Sequence, residues 1–188
     1  MMRDRRHAVF KHLDMLEWKA CRRCTRLGSY RPVLWLLQKA SWLGDYPAWI
    51  AVCLMLPVLH GKLGWIMAVS WGVSAAIGGL LYRLIKNKLC RERPYISFDL
   101  IPCTMPPLDR YSFPSGHTLH AVMFTTLAWQ YEPRLLIGVI PFAIIVMLSR
   151  VILGLHYISD VIAGALIGYG VAQLSILAID SAFPNLLG

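Results

Sequence analysis

Residues 63–82 read LGWIMAVSWGVSAAIGGLLY, twenty residues from Leu63 to Tyr82 without a charge. A helix rises about 1.5 Å per residue, so such a run matches the roughly 30 Å of hydrocarbon in a bilayer. Charge then returns abruptly in Arg83, Lys86, Lys88, Arg91, Glu92 and Arg93. The run is read as a membrane span that ends at a polar surface, and the other apolar stretches take their meaning from it.

Working outward, further apolar runs cover 46–59, 117–131, 135–149 and 157–179. With 63–82 they make five spans of an all-α integral membrane helical bundle. Residues 33–45 are too short to span and are read as a sixth, half-inserted or re-entrant segment. Gly164, Gly168 and Gly170 in the last span permit close helix packing. Composition agrees: 57% of the 188 residues are hydrophobic and 15% charged, with mean hydropathy +0.53. A soluble domain carries about 25% charge.

Residues 1–31 form a basic amphipathic segment, in which Phe10, Leu13, Met15, Leu16, Trp18 and Leu27 lie among Arg and Lys. It is expected to lie on the membrane surface. The charges scattered through the first 30 residues leave no signal-peptide core. The domain proper is expected over 32–188. The net charge of +9 sits outside the apolar runs, which favours anionic headgroups over nucleic acid as the partner. The five cysteines are expected as free thiols, with a Cys90–Cys103 disulfide as the alternative in an oxidising compartment.

Chemistry concentrates between 86 and 160, where three clusters flank the spans. Lys86 and Arg93-Pro94 follow the second span. Pro114-Ser115-Gly116-His117 precedes the third. Ser149-Arg150, His156 and Asp160 lie between the fourth and fifth. Counting spans brings all three to one membrane face. Lys86, Arg93 and Arg150 supply cations for a phosphate, and Arg matches its oxygens with a bidentate fork. Ser115 and Gly116 open a helix whose free N–H groups favour an anion. His156 and Asp160, four apart, are expected on one helix face, with the carboxylate fixing the imidazole tautomer.

Lys86-x6-Arg93-Pro94, Pro114-Ser115-Gly116-His117 and Ser149-Arg150-x5-His156-x3-Asp160 resemble the three-part signature of the type 2 phosphatidic acid phosphatase superfamily. Every signature position is filled. The resemblance implies a metal-free, cofactor-free lipid phosphatase. In it His156 attacks phosphorus, Asp160 orients His156, and His117 protonates the leaving oxygen. Lys86, Arg93, Ser115, Gly116 and Arg150 hold the phosphoryl oxygens. The substrate classes it implies are polyprenyl diphosphate, phosphatidylglycerol phosphate, phosphatidic acid and lipid A phosphate. A lipid phosphotransferase and a non-catalytic phospholipid-binding protein are the alternatives. The family places such a chain in a bacterial-type inner membrane. A re-entrant 33–45 would keep the site facing the periplasm or outside, against the cytoplasmic pull of the basic residues 1–31.

Overall fold

A computed structural model describes residues 2–184, with side chains from Phe10 onward. The side chains of Arg3, Arg5 and Arg6, and residues 185–188 of the expected domain, lie outside the described part.

The described chain is helical apart from its loops and one isolated bridge between Glu92 and Tyr111. The helices are α1 (Met2–Thr25), α2 (Arg31–Leu43), α3 (Pro47–His60), α4 (Lys62–Leu89), α5 (Pro94–Ser97), α6 (Gly116–Tyr131), α7 (Leu136–Ile152) and α8 (Ile158–Ala182). The α4 and α8 helices, and the stretch Pro133–Ile152, are each long and apolar enough to cross a membrane. Helix α4 runs further than the sequence suggested, so Lys86 sits on its last turns rather than in the loop.

Two contact sets fix the direction of each helix. At one end His60, closing α3, meets Glu132 at the α6–α7 turn, and Glu132 is also held by Arg134. At the other end Lys86 of α4, Gly116 of α6 and Arg150 of α7 line one recess. Helices α3, α4, α6, α7 and α8 therefore cross in alternating directions between a near, polar end and a far end. The short α6 is central, packed on α4, α7 and α8, with most of its side chains buried. Enclosed by its neighbours, it has little surface left to match to lipid.

Segment 33–45 does not carry the chain across. Val33, Leu34 and Leu37 pack on Ile152, Leu153 and Leu155 at the near end. Gln38 Nε2 donates to the Thr104 carbonyl at 2.6 Å. Helix α3 then leaves α2 at a 57° bend. Helix α1 lies at the same end, where Trp18 stacks on Phe98 at 5.7 Å and Phe10 meets Phe113 at 5.4 Å. The sixth segment is thus a near-face helix, on the same side as the basic α1.

Glycine sets the closest approach. A Cβ at Gly164 or Gly168 of α8 would stand 2.5 and 2.2 Å from the carbonyl oxygens of Ser115 and Leu119 on α6. Gly170, also expected at an interface, faces open space. All five cysteines are free thiols, so the Cys90–Cys103 disulfide does not form.

Candidate active site

The near-end recess has an empty volume of about 400 Å³. Lys86, Arg93, Arg150, Gly116, His117 and His156 line it, with Asp45, Tyr46, Tyr82, Leu108, Asp109 and His120. Three elements of sequence separated by tens of residues therefore bring three cations and two expected catalytic imidazoles around one small space.

His156 is delivered by a turn. Helix α7 stops at Ile152, and Gly154 takes φ +76°, where a Cβ would stand 2.2 Å from the Pro102 carbonyl oxygen. The turn lets the Arg150 carbonyl accept from the N–H groups of Leu155 and His156, at 3.1 and 3.0 Å. His156 thus precedes the N-cap, Tyr157, and does not share a helix face with Asp160. The two meet because Asp160 is folded back in a capping box, Oδ2 accepting from the Tyr157 N–H at 2.9 Å. His156 Nδ1 lies 3.5 Å from the same oxygen, too far for a hydrogen bond, and has no other partner. Such contacts commonly tighten only when substrate binds. With Nδ1–H toward Asp160, Nε2 carries the lone pair, and Arg93 Nη1 faces it at 3.3 Å. Burial first, then the charges of Arg93 and Arg150, hold the His156 imidazole well below its usual pKa. It is neutral, the form a nucleophile requires.

The cations are not equally satisfied. Lys86 Nζ donates to both Asp109 oxygens at 3.1 and 2.9 Å, and Arg93 Nη2 donates to Asp109 Oδ1 at 2.9 Å. Asp109 therefore occupies an anion position between two of the expected phosphate ligands, with its side chain 37% exposed. Arg93 also binds the Asp109 and Leu155 carbonyls. Arg150, only 3% exposed, donates Nη1 to Ser41 Oγ, while its Nε has no partner. A buried guanidinium with an orphan N–H is costly unless an anion completes it.

The remaining expected residues divide. His117 Nε2 bonds the Ser41 carbonyl at 3.1 Å, leaving Nδ1. Ser115 is buried and does not line the recess. Its hydroxyl caps α6, accepting from the Thr118 N–H at 3.4 Å and the Thr118 hydroxyl at 2.9 Å. That leaves the first N–H groups of α6, at Gly116 and His117, for an anion. His120 Nδ1 and Nε2 lie 3.0 and 3.1 Å from the Gly116 and Ala75 carbonyls, and a neutral ring donates to only one of them. Ser41 and Asp109 were not read from the sequence. Neither has a motif or spacing to mark it, and both act through contacts across 76 and 23 residues.

An apolar groove adjoins the recess, sharing Asp45, Tyr46, Tyr82 and His120 with it. Its walls are Trp49, Ile50, Cys53 and Leu54 of α3 and Ala68 to Leu80 of α4, with an empty volume near 1170 Å³.

The PAP2 superfamily model matches residues 65–183. Among curated proteins, an undecaprenyl-diphosphatase of Sulfolobus acidocaldarius is 29% identical over 144 residues, covering 72% of this chain and 65% of that protein. A lipid A 1-phosphatase of Rhizobium etli is 32% identical over 141 residues, covering 64% of this chain and 61% of that protein. The chain thus spans less than two thirds of the length of these relatives. A PAP2 type phosphatidylglycerolphosphate phosphatase from Bacillus subtilis has a similar fold. The TM-score is 0.70 at 21% identity, over 93% of this chain and 90% of that one. LpxE of Aquifex aeolicus is similar at TM-score 0.68 and 20% identity, over 86% and 95%.

Proposed function

Because the chain belongs to the PAP2 superfamily, we propose that it hydrolyses a lipid phosphate or diphosphate through a phosphohistidine formed on His156. The observation that carries this reading is the junction of two unlike spaces. The recess has cations for a phosphoryl group, and the groove beside it has mostly apolar walls for a tail. His156 Nε2 forms the N–P bond as the P–O bond to the lipid breaks. His117, whose Nε2–H is held by the Ser41 carbonyl, takes up a proton on Nδ1 and gives it to the leaving oxygen. Water then cleaves the N–P bond and phosphate leaves. Lys86, Arg93, Arg150 and the Gly116 N–H stabilise the charge that develops on the phosphoryl oxygens. Asp109 yields its place to the incoming phosphate.

The relatives' names suggest the substrates to try. Purified protein is offered undecaprenyl diphosphate and monophosphate, phosphatidylglycerol phosphate, phosphatidic acid and lipid A, with and without EDTA. Phosphate release that survives EDTA and is blocked by vanadate is the expected result. Release abolished by EDTA overturns the metal-free mechanism. Release only when an acceptor lipid is added would make the protein a phosphotransferase.

Charge also bears on which side the site opens. Outside the recess the near end carries Lys11, Lys19, Arg22, Arg23, Arg26, Arg31, Lys39, Arg83, Lys88 and Arg110, and the far end carries Lys62 and Arg134. Short loops rich in Lys and Arg stay in the cytoplasm. Helix α2 lies along the near face, on the same side as the basic α1. On this reading the site opens to the cytoplasm and takes lipid from the inner leaflet. Cys103, exposed on the near-end loop, is a native reporter. A membrane-impermeant maleimide should label it only after the cells are permeabilised. Labelling in intact cells would turn the assignment round.

A further inference from the structure

Arg91 lies outside the three-part signature, yet its side chain is fully buried. Its Nη1 donates to Asp160 Oδ1 at 2.6 Å and to Ser159 Oγ at 2.7 Å. Its Nε and Nη2 donate to Asp14 Oδ1 of α1 at 2.9 and 2.7 Å, and Nη2 lies 3.4 Å from Glu17 Oε2. The guanidinium stacks 4.0 Å from the Tyr157 ring centre, so its plane is fixed as well as its charge.

We propose that Arg91 is a positioning residue for the nucleophile, holding Asp160 beside His156, and that Asp14 and Glu17 of α1 set how strongly it does so. The inference rests on the phosphohistidine reading. Asp160 has two oxygens and two duties. Oδ1 is taken by Arg91, which leaves Oδ2 for the Tyr157 N–H and His156 Nδ1. Arg91 in turn divides one positive charge among three carboxylates. With Asp14 and Glu17 present, it neutralises Asp160 only in part, and Asp160 keeps negative charge for the imidazolium side of the reaction. The surface helix α1 is thereby part of the catalytic apparatus rather than an anchor alone.

Opposite shifts follow from opposite substitutions. Arg91→Met removes the cation nearest Asp160, which makes the His156–Asp160 pair as a whole easier to protonate. The acid limb of kcat/KM should move to higher pH, by about one unit or more for a bare carboxylate at this range. Asp14→Asn with Glu17→Gln leaves Arg91 to Asp160 alone, and the acid limb should move to lower pH. The other charges facing His156 stay constant throughout: Lys86 on α4, Arg93 and Asp109 on the loop, His117 on α6 and Arg150 on α7. Arg91→Lys, which keeps charge but loses the fork, should lie between Arg91→Met and the unmodified enzyme.

The test is phosphate release from phosphatidic acid in mixed micelles, followed against pH for the full chain and these variants, with melting temperature measured alongside. Limbs displaced in opposite directions support the inference. Limbs unmoved while rates fall in step with melting temperature overturn it, leaving Arg91 as a structural tie. Should Arg91→Met not fold, the Asp14→Asn/Glu17→Gln variant keeps the Arg91–Asp160 pair and decides alone. His156→Ala separates the two levels. If it still turns over, the phosphohistidine reading fails. If it is dead and the limbs do not move, only this inference fails.

Discussion

Replacing His156 by alanine is expected to lower turnover by about 10⁴-fold or more, with the protein still folded in detergent. The size follows from what the position supplies. Nε2 is unprotonated and faces Arg93, with Nδ1 turned toward Asp160. Burial and the neighbouring guanidinium groups keep the ring neutral, so the wild type should stay active at pH values where an ordinary histidine is already protonated. The fold should survive because the turn is made by other groups. Gly154 supplies the positive φ, and the Arg150 carbonyl binds the backbone rather than the imidazole. Rapid quenching in alkali should trap phosphate on the wild-type chain as an acid-labile adduct, and trap none on His156→Ala. Full turnover by the variant would remove His156 from the mechanism.

Arg150→Lys should cost about 10²–10³-fold in kcat, the range seen when one preorganised donor to a developing oxyanion is lost. A lysine keeps the charge, so this tests geometry. The Arg150 guanidinium reaches Ser41 with Nη1 and still presents an unpartnered Nε. A single ammonium cannot fill both directions. Vanadate inhibition should weaken alongside kcat, because the same donors meet both ligands. Wild-type rates with wild-type vanadate sensitivity would leave Arg150 only its backbone role at the α7–α8 turn. Comparing the variant's melting temperature with the wild type's separates lost catalysis from lost folding.

Much of this arrangement could be read before any coordinates. The 63–82 run announced α4, and five apolar runs gave the five crossing helices. The signature clusters met at one end because alternating helices must bring them there. What escaped was whatever depends on contacts between segments of no obvious pattern. Asp14 and Glu17 looked like interruptions in a basic tail, and each is a partner of Arg91 across more than 70 residues. Ser41 is one hydroxyl in a mixed helix, but its two oxygens contact both His117 and Arg150. His156 and Asp160 were placed correctly together for the wrong reason. Spacing by four suggests one helix, whereas the glycine turn ends the helix early and a capping box restores the encounter.

The α3–α4 hairpin behaves like a pair of tongs. At the far end it is pinched shut: a Cβ on Gly64 would stand 2.0 Å from the Leu56 carbonyl oxygen. Toward the near end it gapes, and Ile50, Leu54 and Leu80 along the gap are more than half exposed. The gap is open along its side, so a chain laid in it lies against the bilayer's own lipids over its length. Nothing along the groove serves as a ruler. On the proposed reading, tail length should matter little to this enzyme, and discrimination among lipids should fall on the first carbons and the group that carries the phosphate.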